Sequence, residues 1–393
     1  MSSGSPWSRE SIARHMHARN EATRAFFARE SQTLAGICRE MAARFDRGGR
    51  LLAVGVGGGL SDAQHIAVEF VHPVLVGKRA LPALDLSAGW RERLPAIMRA
   101  GDILIAFPTG ADSAPVNEVL RTAAGRGVLS IGLPGEAGDY AVAAPSDDPF
   151  VTQEVFEILY HTLWETVHVF FEGRTPTGSG TAASFLYPFL TEAEGTGADV
   201  VPEVAASIRA KAAHVERLRD RVASEQGGAV LSAVEAMYRR ISAGATVLTF
   251  GNGGSATDAT DLAFDLSASP KGHAGVPAIS LASDGATLTA LANDLGSEAV
   301  FARQVIAYGR EGDVAVAFST SGGSHSIIAG LAAARARGLT TIALVGYDGG
   351  EIGRRGLADH VIVVDSDHIP RVQEVHASIC HTMLDLIDVR RHP

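Results

Sequence analysis

The chain has 393 residues, with 34 lysines and arginines against 44 acidic residues, for a net charge of −10. That balance argues against a nucleic-acid-binding surface, and 46% hydrophobic against 20% charged residues excludes a mainly disordered chain. No apolar run approaches the ~18 residues that cross a bilayer, and the polar start Met1-Ser2-Ser3-Gly4-Ser5 has no signal-peptide core, so a cytoplasmic protein without a membrane partner is expected.

The first element is a helical stretch over about residues 9–46, with apolar residues at helical spacing. Arg9, Arg14, Arg19, Arg24 and Arg29 recur along it, which would suit a basic DNA-reading helix. Glu10, Glu21 and Glu30 are interleaved, and a solvated face is the simpler reading. Cys38 near its end and Cys380 near the C-terminus make no disulfide framework, although one bridge between them stays open. Cys380 beside His381 reads as a small apolar filler on a buried helix.

Next comes LLAVGVGGGLSDAQHIAVE at 51–69: an apolar strand, a glycine turn and a helix. His65 and Glu69 lie four apart on that helix and share one face. A second strand and turn, DILIAFPTGADS, follow at 102–113, and then the helix VTQEVFEILYHTLWE at 151–165, with Gln153 and His161 on roughly one face. Either pair alone is ordinary helix surface or core. Together His65, Glu69, Gln153 and His161 form a borderline ligand set for zinc or a similar divalent ion, and a carboxylate with an imidazole can also move a proton between adjacent carbons.

Residues 173–196, rich in glycine, read as a linker between a domain at 8–172 and another at 197–390. After a second helical stretch at about 200–242 the motifs return in the same order. VLTFGNGGSATDATDLAFD (247–265) repeats the first strand–turn–helix at an offset of 196, DVAVAFSTSGGS (313–324) the second at 211, and RVQEVHASICHTMLD (371–385) the third at 220. The chain is therefore two copies of one domain, the second lengthened between motifs.

Strands at 246–250, 277–282, 314–318, 340–345 and 360–365, separated by helices, imply a doubly wound parallel sheet of the flavodoxin-like three-layer kind in each copy. In such a sheet the turns 251–255 and 319–324 face one cleft beyond the carboxyl ends of the strands. The four hydroxyls of 319–324, at the start of a helix over 327–337, suit a phosphate monoester. Gly251 to Ala256 also fits a dinucleotide fingerprint, but the nearest acidic candidate, Asp284, lies too far on for that reading.

These residues resemble the SIS-domain sugar isomerases, specifically the bacterial phosphoheptose isomerases, in tandem. GNGGS, ALANDLG, FARQ, STSGGS and QEVH…H of the second copy match that family's motifs in order across about 190 residues. The resemblance makes Asn252, Gly253, Ser255, Asp294, Ser319, Thr320, Ser321, Ser324 and Gln373 sugar-phosphate contacts, with Gln373 and His381 also metal ligands. Where the family carries a metal-binding His and a catalytic Glu, the second copy has Asp261 and Asp265. The first copy keeps both, as His65 and Glu69, but its phosphate loop has become Pro108 to Ser113, where Asp112 would repel a phosphate.

The resemblance thus implies an isomerase taking sedoheptulose 7-phosphate to D-glycero-D-manno-heptose 7-phosphate through an enediolate. Glu69 and His161 with a zinc ion would act at a composite site opposite the second copy's Ser/Thr loop. His381 with Asp265 is the alternative base, should the second copy work alone. A homodimer would imitate the tetramer of the single-domain family. The competing readings are an isomerase of a hexose or amino-sugar phosphate and a non-catalytic sugar-phosphate sensor or scaffold.

Overall fold

The computed structural model describes residues 7–73, 78–109, 113–172 and 201–391; the expected linker at 173–196 lies outside them. In chain order the first copy comprises α1 (Arg9–Asp46), β1 (Leu51–Gly55), α2 (Gly59–Val71), β2 (Ala83–Asp85), α3 (Trp90–Ile97), β3 (Ile103–Phe107), α4 (Ser113–Ala124), β4 (Leu129–Gly132), β5 (Tyr140–Ala141) and α5 (Pro149–Glu172). The second begins with α6 (Val201–Arg221), which passes through a π-helical turn at Val222–Gln226 into α7 (Gly227–Ser242). It continues with β6 (Val247–Phe250), α8 (Gly254–Ser267), β7 (Ala278–Ser280), α9 (Gly285–Leu295), a 3-10 turn at Ser297–Ala299, α10 (Val300–Tyr308) and β8 (Val314–Ser319). The last elements are α11 (His325–Ala336), β9 (Thr340–Gly346), α12 (Gly350–Arg355), β10 (His360–Val364) and α13 (Ile369–Arg391).

Two five-stranded sheets result, ordered β2-β1-β3-β4-β5 and β7-β6-β8-β9-β10, with every strand pair parallel. The order is the same in both, and in both it reverses beside the first strand, so the crevice for a ligand lies beyond β1 and β3 in one copy and β6 and β8 in the other. The central strands β1, β3, β6 and β8 are buried along their whole length, as their unbroken apolar runs require. The residues inserted between the first two motifs of the second copy supply α9, none of whose residues is buried.

The repeated glycines have one structural reason. A Cβ on Gly55 or Gly251 would fall 1.8 or 2.1 Å from the carbonyl oxygen of Gly59 or Ser255, so only glycine lets the strand end meet the helix start this closely. Two residues on, Gly57 and Gly253 both sit at φ +57°. At the start of β3 and β8 the repeated aspartates do matching work: Asp102 accepts from the backbone N–H groups of Arg50 and Arg99, and Asp313 from those of Thr246 and Arg310.

The chain clusters into two compact units whose boundaries do not follow the copies. One holds residues 1–20, 148–154 and 215–393; the other holds 21–147 and 155–214. Helices α1 and α5 each begin in the first of these and continue in the second. Cys38 and Cys380 are buried thiols not joined in a disulfide, and burial pushes the Cys38 thiol up to about 12. Among the described residues no helix is long and apolar enough to cross a membrane.

Candidate active site

In the unit formed by residues 21–147 and 155–214, α2 carries His65 and Glu69 one turn apart and α5 brings His161 to them. All three are at most 2% exposed, and their ligand atoms lie within 4.8 Å of one another. The Nε2 atoms of His65 and His161 are 3.2 Å apart, with Glu69 Oε1 3.8 Å from His65 Nε2. The Tyr160 hydroxyl meets His65 Nδ1 at 3.0 Å, so Nε2 is the ring nitrogen turned toward His161 and Glu69. Two imidazole nitrogens and a carboxylate oxygen converging in a buried site are a donor set that fits a divalent cation such as zinc.

The other unit contains the copy-equivalent cluster. Asp261 and Asp265 on α8 meet His381 on α13, again with ligand atoms within 4.8 Å of one another. His381 Nε2 lies 3.2 Å from Asp265 and 3.7 Å from Asp261, while its Nδ1 donates to Glu154 at 2.9 Å. The Phe150 ring stacks on the imidazole at 4.3 Å. Burial opposes charge on His381, yet its hydrogen bonds to Asp261, Asp265 and Glu154 hold the ring well above the usual imidazole range. Burial and the neighbouring Asp261 charge push Asp265 up to about 7.

Glu154 is fully buried and accepts from Arg19, Arg219 and Ser378 as well as His381. Burial works against its ionisation, but Arg19, His381 and Arg219 hold its carboxyl far below the ordinary range. The cluster thus surrounds one imidazole with carboxylates, where the equivalent cluster has a second imidazole.

Two expectations change here. Gln153 does not stand with His65, Glu69 and His161: it belongs to the other unit, where its amide donates to Asp261 at 2.7 Å. Eight residues of helix, roughly 12 Å along the axis, separate it from His161. The reading of the α1 arginines as a solvated face fails at Arg19, which is 2% exposed and bonded to Glu154. Gln373, also eight residues before its histidine, is buried with its Oε1 unpaired.

The phosphate-loop expectation meets a real cleft. A cavity of about 670 Å³ opens beyond β6 and β8, lined by Asn252, Gly253, Gly323, His325, Leu288 and Phe301 among others. Asn252 donates across it to the Ser326 hydroxyl at 3.0 Å, tying the glycine turn to α11. Ser319 and Ser321 accept from the N–H groups of Gly322 and Gly323, and Ser324 is the N-cap residue of α11 with its hydroxyl free of any capping bond. Thr320 is half-buried and Ser255 is buried behind the turn. Behind the loop, a Cβ on Gly322 would meet Gly349 O at 2.3 Å, so the Ser/Thr turn is seated on a glycine turn.

Asp294 is placed differently from the expectation. It is exposed and accepts from Asn293, while Leu288, Thr289 and Ala292 are the α9 residues that line the cleft. Two residues beyond Ala292 is a rotation of roughly 200°, which turns Asp294 away. Asp284 is the N-cap of α9, accepting from Ala286 and Thr287, which explains it without a dinucleotide. Gly110, Ala111 and Asp112 of the first copy's altered loop lie outside the described residues. Sequence reasoning passed over Glu154 and Tyr160 as site residues; the Gln-Glu-Val start common to both copies was the available signal for Glu154.

A SIS-domain family model matches residues 212–346. The phosphoheptose isomerase of Chlorobium phaeovibrioides is 46% identical over 176 residues, which are 44% of this chain and 82% of the relative. The chain belongs to the phosphoheptose isomerase family. Another family member, from Geobacter sulfurreducens, is 39% identical over 195 residues, 49% of this chain and all of the relative. The tandem fold has its own counterpart: the C-terminal domain of glucosamine-fructose-6-phosphate aminotransferase from Francisella tularensis superposes with a TM-score of 0.61 at 12% identity, covering 96% of this chain and 95% of that one.

Proposed function

We propose that the protein is an aldose–ketose isomerase of sugar phosphates, acting on sedoheptulose 7-phosphate, with catalysis at His65, Glu69 and His161. The observation that carries this reading is the convergence of those three buried side chains, with Nε2 atoms 3.2 Å apart, in a member of the phosphoheptose isomerase family. His65, Glu69 and His161 would hold a divalent ion, zinc by donor type, whose contribution is Lewis-acid polarisation of the sugar carbonyl. Glu69 takes the proton from C1 of the ketose and His161 serves the oxygens, and returning the proton to C2 completes the aldose. The Ser319–Ser324 turn and the N-terminus of α11 hold the phosphate.

The division of labour between the copies rests on complementary losses in sequence: one phosphate loop and one His/Glu pair survive. A homodimer fits the same reading, supported by α9, none of whose residues is buried and whose Leu295 is 57% accessible. A monomeric mass in solution overturns that assembly. The activity test is an NMR time course of sedoheptulose 7-phosphate with purified protein, run with zinc and after chelation. Zinc-dependent appearance of the aldose is expected. Binding without conversion would replace the isomerase by a sugar-phosphate sensor, and turnover of a hexose or amino-sugar phosphate alone would change the substrate.

A further inference from the structure

The cleft beyond β6 and β8, where the Ser/Thr turn and the N-terminus of α11 lie, is poor in cations. Among the described residues that line it there is no lysine or arginine; His325 is the one side chain able to carry positive charge and Glu298 the one carboxylate. His325 is the first residue of α11, immediately after the N-cap Ser324 that ends the Ser/Thr turn. Glu298 comes from the 3-10 turn that follows α9. Their side chains meet at the cleft mouth, Nδ1 to Oε1 at 3.2 Å, and both remain 72% exposed.

A carboxylate partner at Nδ1 fixes the ring's orientation and leaves Nε2 for a ligand. Beside it, the Asn252–Ser326 hydrogen bond holds the glycine turn against the same first turn of α11. Thus one helical turn carries the phosphate loop's cap, an imidazole with a free nitrogen and the hydroxyl that anchors the other wall.

We infer that His325 is a specificity-determining contact of the phosphoryl group, oriented over the cleft by Glu298, and that it selects phosphorylated over unphosphorylated sugars. This rests on the sugar-phosphate reading of the cleft. It explains how a site without lysine or arginine holds a phosphoryl group: the helix N-terminus supplies partial charge and backbone hydrogen bonds, and His325 Nε2 adds a side-chain hydrogen bond.

The test is calorimetric titration of the full-length protein with inorganic phosphate and with sedoheptulose 7-phosphate, using wild type, His325→Gln and His325→Lys. Because the side chain is exposed, both variants should fold, and matching circular dichroism spectra check this. His325→Gln should weaken both ligands by about tenfold, the lower end for a hydrogen bond to a charged group, and raise KM by a similar factor with kcat within about twofold. His325→Lys should recover most of the loss. Equal binding by wild type and His325→Gln overturns the role of His325 and leaves the cleft assignment standing; failure of wild type to bind either anion overturns the cleft assignment itself.

Discussion

The same three positions, on the same elements of the same fold, are filled by His65, Glu69 and His161 in one copy and by Asp261, Asp265 and His381 in the other. In the first, two imidazoles bring their nitrogens to within 3.2 Å of each other beside a single carboxylate. In the second, carboxylates surround a single imidazole, and a proton on that ring balances them. Replacing one histidine by aspartate thus turns a ligand sphere into an internal ion pair. A duplicated site can keep its geometry while its donor set changes from two imidazoles and a carboxylate to one imidazole and two carboxylates.

The comparison is broken most decisively at the first cluster. Glu69→Ala or His161→Ala should lower kcat by at least about 10²-fold, the usual worth of a positioned acid or base, with sugar-phosphate affinity nearly unchanged. Retained turnover, measured by the NMR assay, would move catalysis to His381 and Asp265. At the second cluster, Glu154→Gln leaves Arg19 and Arg219 with a neutral partner in a buried site. A loss of about 3 kcal/mol in urea unfolding is expected, from the cost of unpaired buried charge. A loss under 1 kcal/mol would mean the ion pairs are not what steadies that cluster.

Metal stoichiometry sharpens the contrast. Wild type should bind one zinc per chain by elemental analysis, and the double change Asp261→His with Asp265→Glu should raise that to two. Two in wild type would show that the aspartates ligate after all. The smallest effects come with pH. The Glu154 and Asp385 carboxyls are depressed in the folded state, so their stabilisation is complete above about pH 4 and lost as pH falls below it. His381 is raised, so its contribution is complete below about pH 6.5 and lost as pH climbs through the raised value. The urea midpoint should therefore fall on both sides, and a flat alkaline limb would deny the protonated ring.

Much of this was legible in the residues. The five strands of the second copy and the whole of α1 fall where apolar runs and helical spacing put them, because buried parallel strands and amphipathic helices leave strong periodic marks. The matched offsets also located both clusters, since duplication preserves position more faithfully than chemistry. Gln153 and Asp294 escaped for a different reason. Periodicity tells which face of a helix a residue shares, and nothing about where along its length the helix passes from one packing environment to another, or which face a neighbouring wall will use. The π-helical turn at Val222–Gln226 was equally silent, since it changes hydrogen bonding without changing the apolar pattern.

That α5 starts in one unit and ends in the other decides what a split of the chain would cost. Cutting the chain between its copies would return the second half to the size of its single-domain relatives, but without the helix turn that presents Gln153 to Asp261 and Glu154 to His381. Neither half expressed alone would therefore carry the second cluster complete.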